Sequence, residues 1–265
     1  VLITMGLLLR RIHPERHHSI WALPLVATLP VWLIVLRTGI EVVMFMPLLY
    51  VLGLYLITRK TPASVFAGGL LWGLLVYNHL IGICFPIAAA LAWWAAYRRW
   101  PPLALRPAIL GGLLGLAPRI VAVLSFHDPL EGSAARYSLW GAVKDLPWLP
   151  LSLWRAWQGD AVFLRYVGRL AIEPWPYWLL GAVFILPWSK RLGSMPRQVR
   201  FTLLMGFFSA VLITLAAPYI AVRFLVLPII GLTFGLVLSG CAAIERDPRW
   251  SWPITMTAVA IAGLN

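Results

Sequence analysis

Four ionisable residues lie at the ends of long apolar runs, where a charge at membrane depth is costly and usually has a function. They are Arg37, Glu41, His79 and Arg223. A guanidinium presents paired donors to phosphate oxygens, and a carboxylate accepts from a sugar hydroxyl or binds a metal. We predict that the two arginines face an anionic lipid phosphate, that Glu41 faces a sugar hydroxyl or metal, and that His79 shares their pocket.

Each of these residues also has a purely structural interpretation. Arg37 and Glu41 stand four apart across a glycine turn and could neutralise each other. His79 could be a hydrogen-bonded group that caps a hairpin. Arg223 could be an anchor that reaches the phosphates of bulk lipid. The pattern of residues leaves both interpretations open.

The composition indicates which elements position these residues. Apolar residues make up 61% of the 265-residue chain and charged residues 12%, and the mean hydropathy is +0.85, which excludes an ordinary soluble domain. We therefore expect membrane lipids, and not nucleic acid, to be the partners of the +13 net charge. The chain contains no Walker loop, dinucleotide-binding glycine motif, metalloprotease helix or nucleophile elbow.

The lengths of the apolar runs predict an all-α polytopic transmembrane bundle that forms a single domain over residues 1–265. About 20 apolar residues cross a bilayer core as a helix. On that basis we predict about eight full spans: residues 19–36, 42–58, 63–78, 80–97, 105–124, 174–188, 200–217 and 222–243. Residues 1–9 and 251–265 are apolar but too short to cross. We expect them to be partial helices of a longer protein, of which this chain is a fragment.

The positive charges predict the orientation of the bundle. Fourteen of the 22 Lys and Arg residues fall in five breaks between apolar runs: 10–16, 59–60, 98–106, 190–200 and 246–249. If the predicted runs cross the membrane, all five breaks lie on one side, and basic loops are retained in the cytoplasm. Residues 174–188 are short and rich in Pro and Trp, but without this span the 190–200 cluster would lie outside. We expect a multi-pass protein of the plasma (inner) membrane.

A long loop, residues 126–173, is predicted on the outer face and carries five of the nine acidic residues. Within it, residues 147–157 (PWLPLSLWRAW) combine Trp, Pro and Arg in the pattern of a helix at headgroup depth. Trp148, Trp154 and Trp157 are its predicted anchors. The alternative is a cap over a membrane-embedded cavity.

Other residues with chemical potential have simpler explanations. The pairs Gly68-Gly69 and Gly111-Gly112 lie inside apolar runs, where small residues allow helices to pack closely. Cys84 and Cys241 are predicted near opposite membrane faces, so we expect neither a disulfide nor a cysteine metal site. Residues 127–131 (HDPLE) include metal-capable side chains, but we interpret them as a solvated loop and assign no metal ligand.

Four segments, in this order, resemble the GT-C superfamily of polytopic glycosyltransferases, which includes the protein O-mannosyltransferases and the lipid A aminoarabinose transferase. Residues 36–41 (LRTGIE) are similar to the family's outer turn and residues 67–79 (AGGLLWGLLVYNH) to its glycine-rich hairpin. Residues 111–118 (GGLLGLAP) are similar to its entry into an outer loop. Residues 223–228 (RFLVLP) resemble its C-terminal R-Y-l-l-P motif, although Gly231 stands near the place of the second proline.

The resemblance implies transfer of a sugar from a polyprenyl-phosphate donor to an acceptor at the outer face, with inversion at the anomeric carbon. Family members use an acidic residue of the first outer loop as the base, and this chain is expected to begin after that loop. No catalytic residue is therefore assigned, and Arg37, Glu41, His79 and Arg223 are the predicted substrate-binding residues. A divalent metal ion is a further option that the residues leave open.

Two other classes fit a polytopic apolar chain. A transporter or lipid flippase predicts broken helices at mid-depth and an internal repeat, and we find no convincing repeat. A non-catalytic scaffold or polymerase-type protein would handle lipid-linked sugars through the large outer loop. An acidic pair in an outer loop upstream of Val1 would favour the enzyme over both.

Overall fold

Helix is the only regular secondary structure in the part of the chain that is described. The computed structural model describes residues 3, 6–7, 45–59, 61–99, 105–126, 140, 143–144, 146–157, 181–189, 194–216 and 225–264. No strand occurs among them, which confirms the predicted all-α class.

The α-helices are labelled here in chain order. They are α1 (Phe45–Thr58), α2 (Pro62–Asn78), α3 (Cys84–Tyr97), α4 (Leu105–Phe126), α5 (Leu149–Trp157), α6 (Arg197–Ala216), α7 (Val226–Arg246) and α8 (Ser251–Leu264). Short 3-10 turns occur at Leu80–Ile83, Leu146–Trp148, Leu186–Trp188 and Pro248–Trp250. Residues 181–185 are helical as well.

The helices coincide with six of the predicted spans, and some of them extend beyond the predicted limits. Helix α6 begins at Arg197 and α7 ends at Arg246, each three residues past the predicted limit. Long arginine side chains permit this, because their charged heads reach water while the stems stay in an apolar layer. Three segments are long and apolar enough to cross a membrane: Leu80–Tyr97, Arg197–Ala216 and Leu227–Arg246.

The prediction of eight full spans stays a prediction. Span 19–36 and residues 174–180 of span 174–188 lie outside the described residues. Helices α1 and α2 have 14 and 17 residues and are apolar but shorter than a full crossing.

Glycines bring α2 and α4 together along parallel axes. A Cβ on Gly69 would lie 2.1 Å from the Ala108 carbonyl oxygen, and one on Gly73 would lie 2.2 Å from that of Gly112. Only hydrogen at these positions permits so close an approach of two backbones. The predicted packing role is therefore confirmed for Gly68, Gly69 and Gly111, where a neighbouring backbone fills the space that a side chain would need.

A buried aromatic cluster joins α1, α2, α3 and α6. The Tyr50 ring lies 4.9 Å from that of Phe85 and 6.3 Å from that of Trp72, centroid to centroid. The Tyr50 hydroxyl donates to the Met205 sulfur at 2.8 Å, and the Trp72 indole N–H donates to the Tyr50 carbonyl at 3.2 Å. The hydroxyl and the carbonyl of Tyr50 are therefore both hydrogen-bonded inside an apolar core, as burial requires.

Helix α6 packs antiparallel to α3 on one side and to α7 on the other. The Trp93 ring meets that of Phe201 at 5.8 Å, and Arg197 interacts electrostatically with Tyr97, so α6 begins where α3 ends. Gly206 of α6 lies against Leu232 of α7. This alternation of direction is what successive crossings of one layer would produce.

The described part of the predicted outer loop is partly helical, as expected from its sequence. Helix α5 contacts α6 and α7, and its first residue, Leu149, is buried in the common core. Trp148 is exposed. The side chains of Trp154 and Trp157, and residues 127–139 and 158–173, lie outside the described residues, so the depth of these tryptophans stays a prediction.

Candidate functional site

His79 caps the turn between α2 and α3 and is the one predicted site residue that the structure describes. Its backbone N–H donates to the Leu75 carbonyl at 3.2 Å and closes α2. Its Nδ1 accepts the Ile81 N–H at 3.2 Å, and its carbonyl accepts the Gly82 N–H at 2.7 Å. The histidine ends one helix and starts the next, which is the structural role left open by the sequence.

The capping bond determines what else the imidazole can do. Because Nδ1 accepts a hydrogen bond, the proton of the neutral ring is on Nε2. In this tautomer the ring is a hydrogen-bond donor at Nε2, which suits a phosphate or hydroxyl oxygen. A general base would need an unprotonated nitrogen facing the substrate. His79 is therefore suited to binding and not to proton abstraction.

The hairpin is tight because Gly82 has no side chain. A Cβ there would lie 2.7 Å from the Leu75 carbonyl oxygen. The close return of the chain keeps His79 half-buried at the helix ends, while Tyr77, Leu80 and Ile83 stay exposed around it. Apolar side chains thus surround a polar group at one end of the bundle.

Arg37, Glu41 and Arg223 lie outside the described residues, as do residues 127–131. Their convergence on His79 stays a prediction. Within the described part of the chain, no group of three His, Cys, Asp or Glu side chains could hold a metal ion. Cys84 and Cys241 are both buried.

Most of the described basic residues lie at the end of the bundle opposite His79, which we call the basic end. It includes the α1–α2 turn at Arg59 and the end of α3, where Arg99 and Arg197 both interact with Tyr97. It also includes the end of α7, where Arg246 donates to the Ser194 hydroxyl at 2.8 Å. Residues from four of the five predicted breaks therefore meet at one end of the described bundle. The fifth break, 10–16, lies outside the described residues, and the side of the membrane stays a prediction.

Arg119 is a charged residue that the hydropathy pattern hides. It follows Pro118 inside α4 and is half-buried, with apolar residues on both sides along the helix. A charge within a long apolar run is the signal that marks such a residue. The sequence-based predictions omit it because the surrounding run remains apolar enough to be assigned as a span.

Comparisons of the chain with protein-family models, with curated proteins and with solved structures return no match. Function is therefore argued from the residues and their arrangement.

Proposed function

We propose that this protein is a membrane-embedded glycosyltransferase of the GT-C type. It would move a sugar from a polyprenyl-phosphate donor to an acceptor at the outer face of the plasma membrane. The observation that carries the proposal is the position of His79, a hydrogen-bond donor at the end of the bundle opposite the basic end. The glycine-rich hairpin that resembles the family is the segment that positions it.

The proposed site for the sugar donor combines two cationic side chains with one neutral hydrogen-bond donor. Arg37 and Arg223 would bind the lipid phosphate through paired N–H groups, and the His79 Nε2–H would donate to the phosphate or to a sugar hydroxyl. Glu41 would accept from a sugar hydroxyl. Binding the departing phosphate stabilises the charge that develops on it as the glycosidic bond breaks. The acceptor must lose a proton in this step, and the base that removes it is not assigned.

Donor binding tests this proposal directly. The chain, in nanodiscs, is cross-linked to a benzophenone-bearing polyprenyl-phosphate sugar with unlabelled polyprenyl phosphate as competitor. Arg37→Lys and Arg223→Lys each keep the charge but lose the paired donors, so the competitor should bind about tenfold more weakly. Arg106→Lys, an exposed position at the basic end, is the matched control and should leave competition unchanged.

Two results would contradict the donor site. One is that unlabelled polyprenyl phosphate competes equally well in the wild type and in all three lysine variants. The other is an equal loss in Arg106→Lys, which would indicate general attraction to the lipid. Movement of a fluorescent lipid-linked sugar between the leaflets of proteoliposomes, with the donor uncleaved, would instead favour the flippase alternative.

A further inference from the structure

Arg246, the last residue of α7, is held in place by side chains from two other segments. Its guanidinium carbon lies 5.5 Å from the centre of the Trp188 ring. Its Nη1 donates to the Ser194 hydroxyl at 2.8 Å. Trp188 is only 2% exposed, so the ring is a fixed surface. An exposed arginine is usually mobile, and these contacts orient this one before any ligand arrives.

No carboxylate within the described part of the chain forms an ion pair with Arg246, although acidic residues flank it. The Asp247 side chain accepts the Arg249 backbone N–H at 3.1 Å and caps the 3-10 turn that follows. The Ser194 hydroxyl and the indole face orient the guanidinium without neutralising it. The remaining N–H groups of its planar fork match the oxygens of a phosphate.

The surroundings of Arg246 resemble a membrane–water interface. It ends an apolar helix long enough to cross a membrane, and Arg249 follows in the next turn. Trp252, at the start of α8, is 71% exposed, and Trp250 packs partly against the core. Exposed Trp next to Arg at the end of a membrane helix is the arrangement that sits at headgroup depth.

We propose that Arg246, Trp188 and Ser194 form a binding seat for the phosphate of an anionic phospholipid in the leaflet at the basic end. Arg249 adds a second positive charge. A lipid, and not a soluble anion, is expected because the seat lies at the end of an apolar helix beside an exposed tryptophan. The seat is at the opposite end of the bundle from His79, so it stands independently of the donor site.

Native mass spectrometry of the chain in mixed micelles tests the seat by comparing phosphatidylglycerol with phosphatidylcholine adducts. The charge-assisted hydrogen bonds of an oriented guanidinium to a phosphate contribute about 1.5 kcal/mol, equivalent to about tenfold in affinity. Arg246→Gln should therefore reduce the preference for phosphatidylglycerol about tenfold. Arg106→Gln removes an exposed charge at the start of α4, also at the basic end, and should leave the preference nearly unchanged.

A second variant tests the seat if Arg246→Gln does not fold. Ser194→Ala keeps the charge and the indole surface but removes the hydroxyl that orients the guanidinium. It should reduce the preference about twofold, since the guanidinium keeps its charge and its contact with the indole but loses one orienting hydrogen bond. Two results would overturn the proposal. One is equal loss in Arg106→Gln and in the seat variants. The other is competition by glycerol phosphate at the concentration at which the lipid competes, which would indicate a soluble anion.

Discussion

The Ser239 hydroxyl donates a 2.8 Å hydrogen bond to the carbonyl oxygen of Phe184. The chain forms a 3-10 turn at Leu186–Trp188. In this geometry each backbone N–H donates a hydrogen bond to the carbonyl oxygen three residues earlier. Three residues after Phe184 stands Pro187, which has no N–H to donate. The serine of α7 supplies the missing donor and joins the Pro- and Trp-rich segment to the bundle.

Ser239→Ala should therefore destabilise the protein by about 1 kcal/mol, because it leaves a buried carbonyl without its donor. Steric trapping in bicelles measures the free energy of unfolding. Ser209→Ala is the matched control, since its buried hydroxyl donates only to Met205 of the same helix. That variant should lose less than about 0.5 kcal/mol. Equal losses in the two variants would mean that the bond to Phe184 adds no stability.

Neighbouring glycines of α4 should respond differently to alanine. A Cβ on Gly111 would lie 2.1 Å from the Phe66 carbonyl oxygen, whereas one on Gly112 would have its nearest neighbour at 3.7 Å. Gly111→Ala should lower the unfolding free energy by about 2 kcal/mol, because two backbones must separate. Gly112→Ala should be neutral or slightly stabilising. Similar values for both variants in the same unfolding assay would contradict the contact between α2 and α4.

The two roles of His79 can be separated by substitution. His79→Ala removes the acceptor for the Ile81 N–H and should cost about 1 kcal/mol of stability. His79→Asn supplies another capping oxygen and should recover most of this loss. If the imidazole also binds the donor, His79→Asn should fold well but still bind polyprenyl phosphate more weakly. Normal donor binding in a well-folded His79→Asn variant would leave His79 with the capping role alone.

The proposed orientation predicts which engineered cysteines an impermeant maleimide can reach from outside the cell. Ser133→Cys, in the predicted outer loop, should be labelled in intact cells. Ser194→Cys, at the basic end, should react only after permeabilisation. Background from Cys84 and Cys241 should be low, because they are 4% and 7% exposed. The reverse pattern would invert the orientation, and labelling of both positions would show that residues 174–188 do not cross.

Local properties of the chain were enough to predict the helices and the gathering of charge. The length of an apolar run and the position of its flanking arginines belong to contiguous residues, so α3, α6 and α7 lie close to their predicted places. Of the candidate site, only His79 can be compared with the structure. Its capping role was one of two interpretations that the sequence offered.

The amino-acid sequence by itself determined where helices form and which glycines could pack, but only the tertiary structure decided their partners. Helices such as α2 and α4 are apolar on all sides, so no polar stripe shows which face is buried. The parallel pairing of α2 with α4 depends on how their backbones fit. The bonds from Ser239 to Phe184 and from Arg246 to Ser194 join residues more than fifty positions apart. No local pattern encodes such pairs, because each forms only when packing brings two distant segments to the same depth.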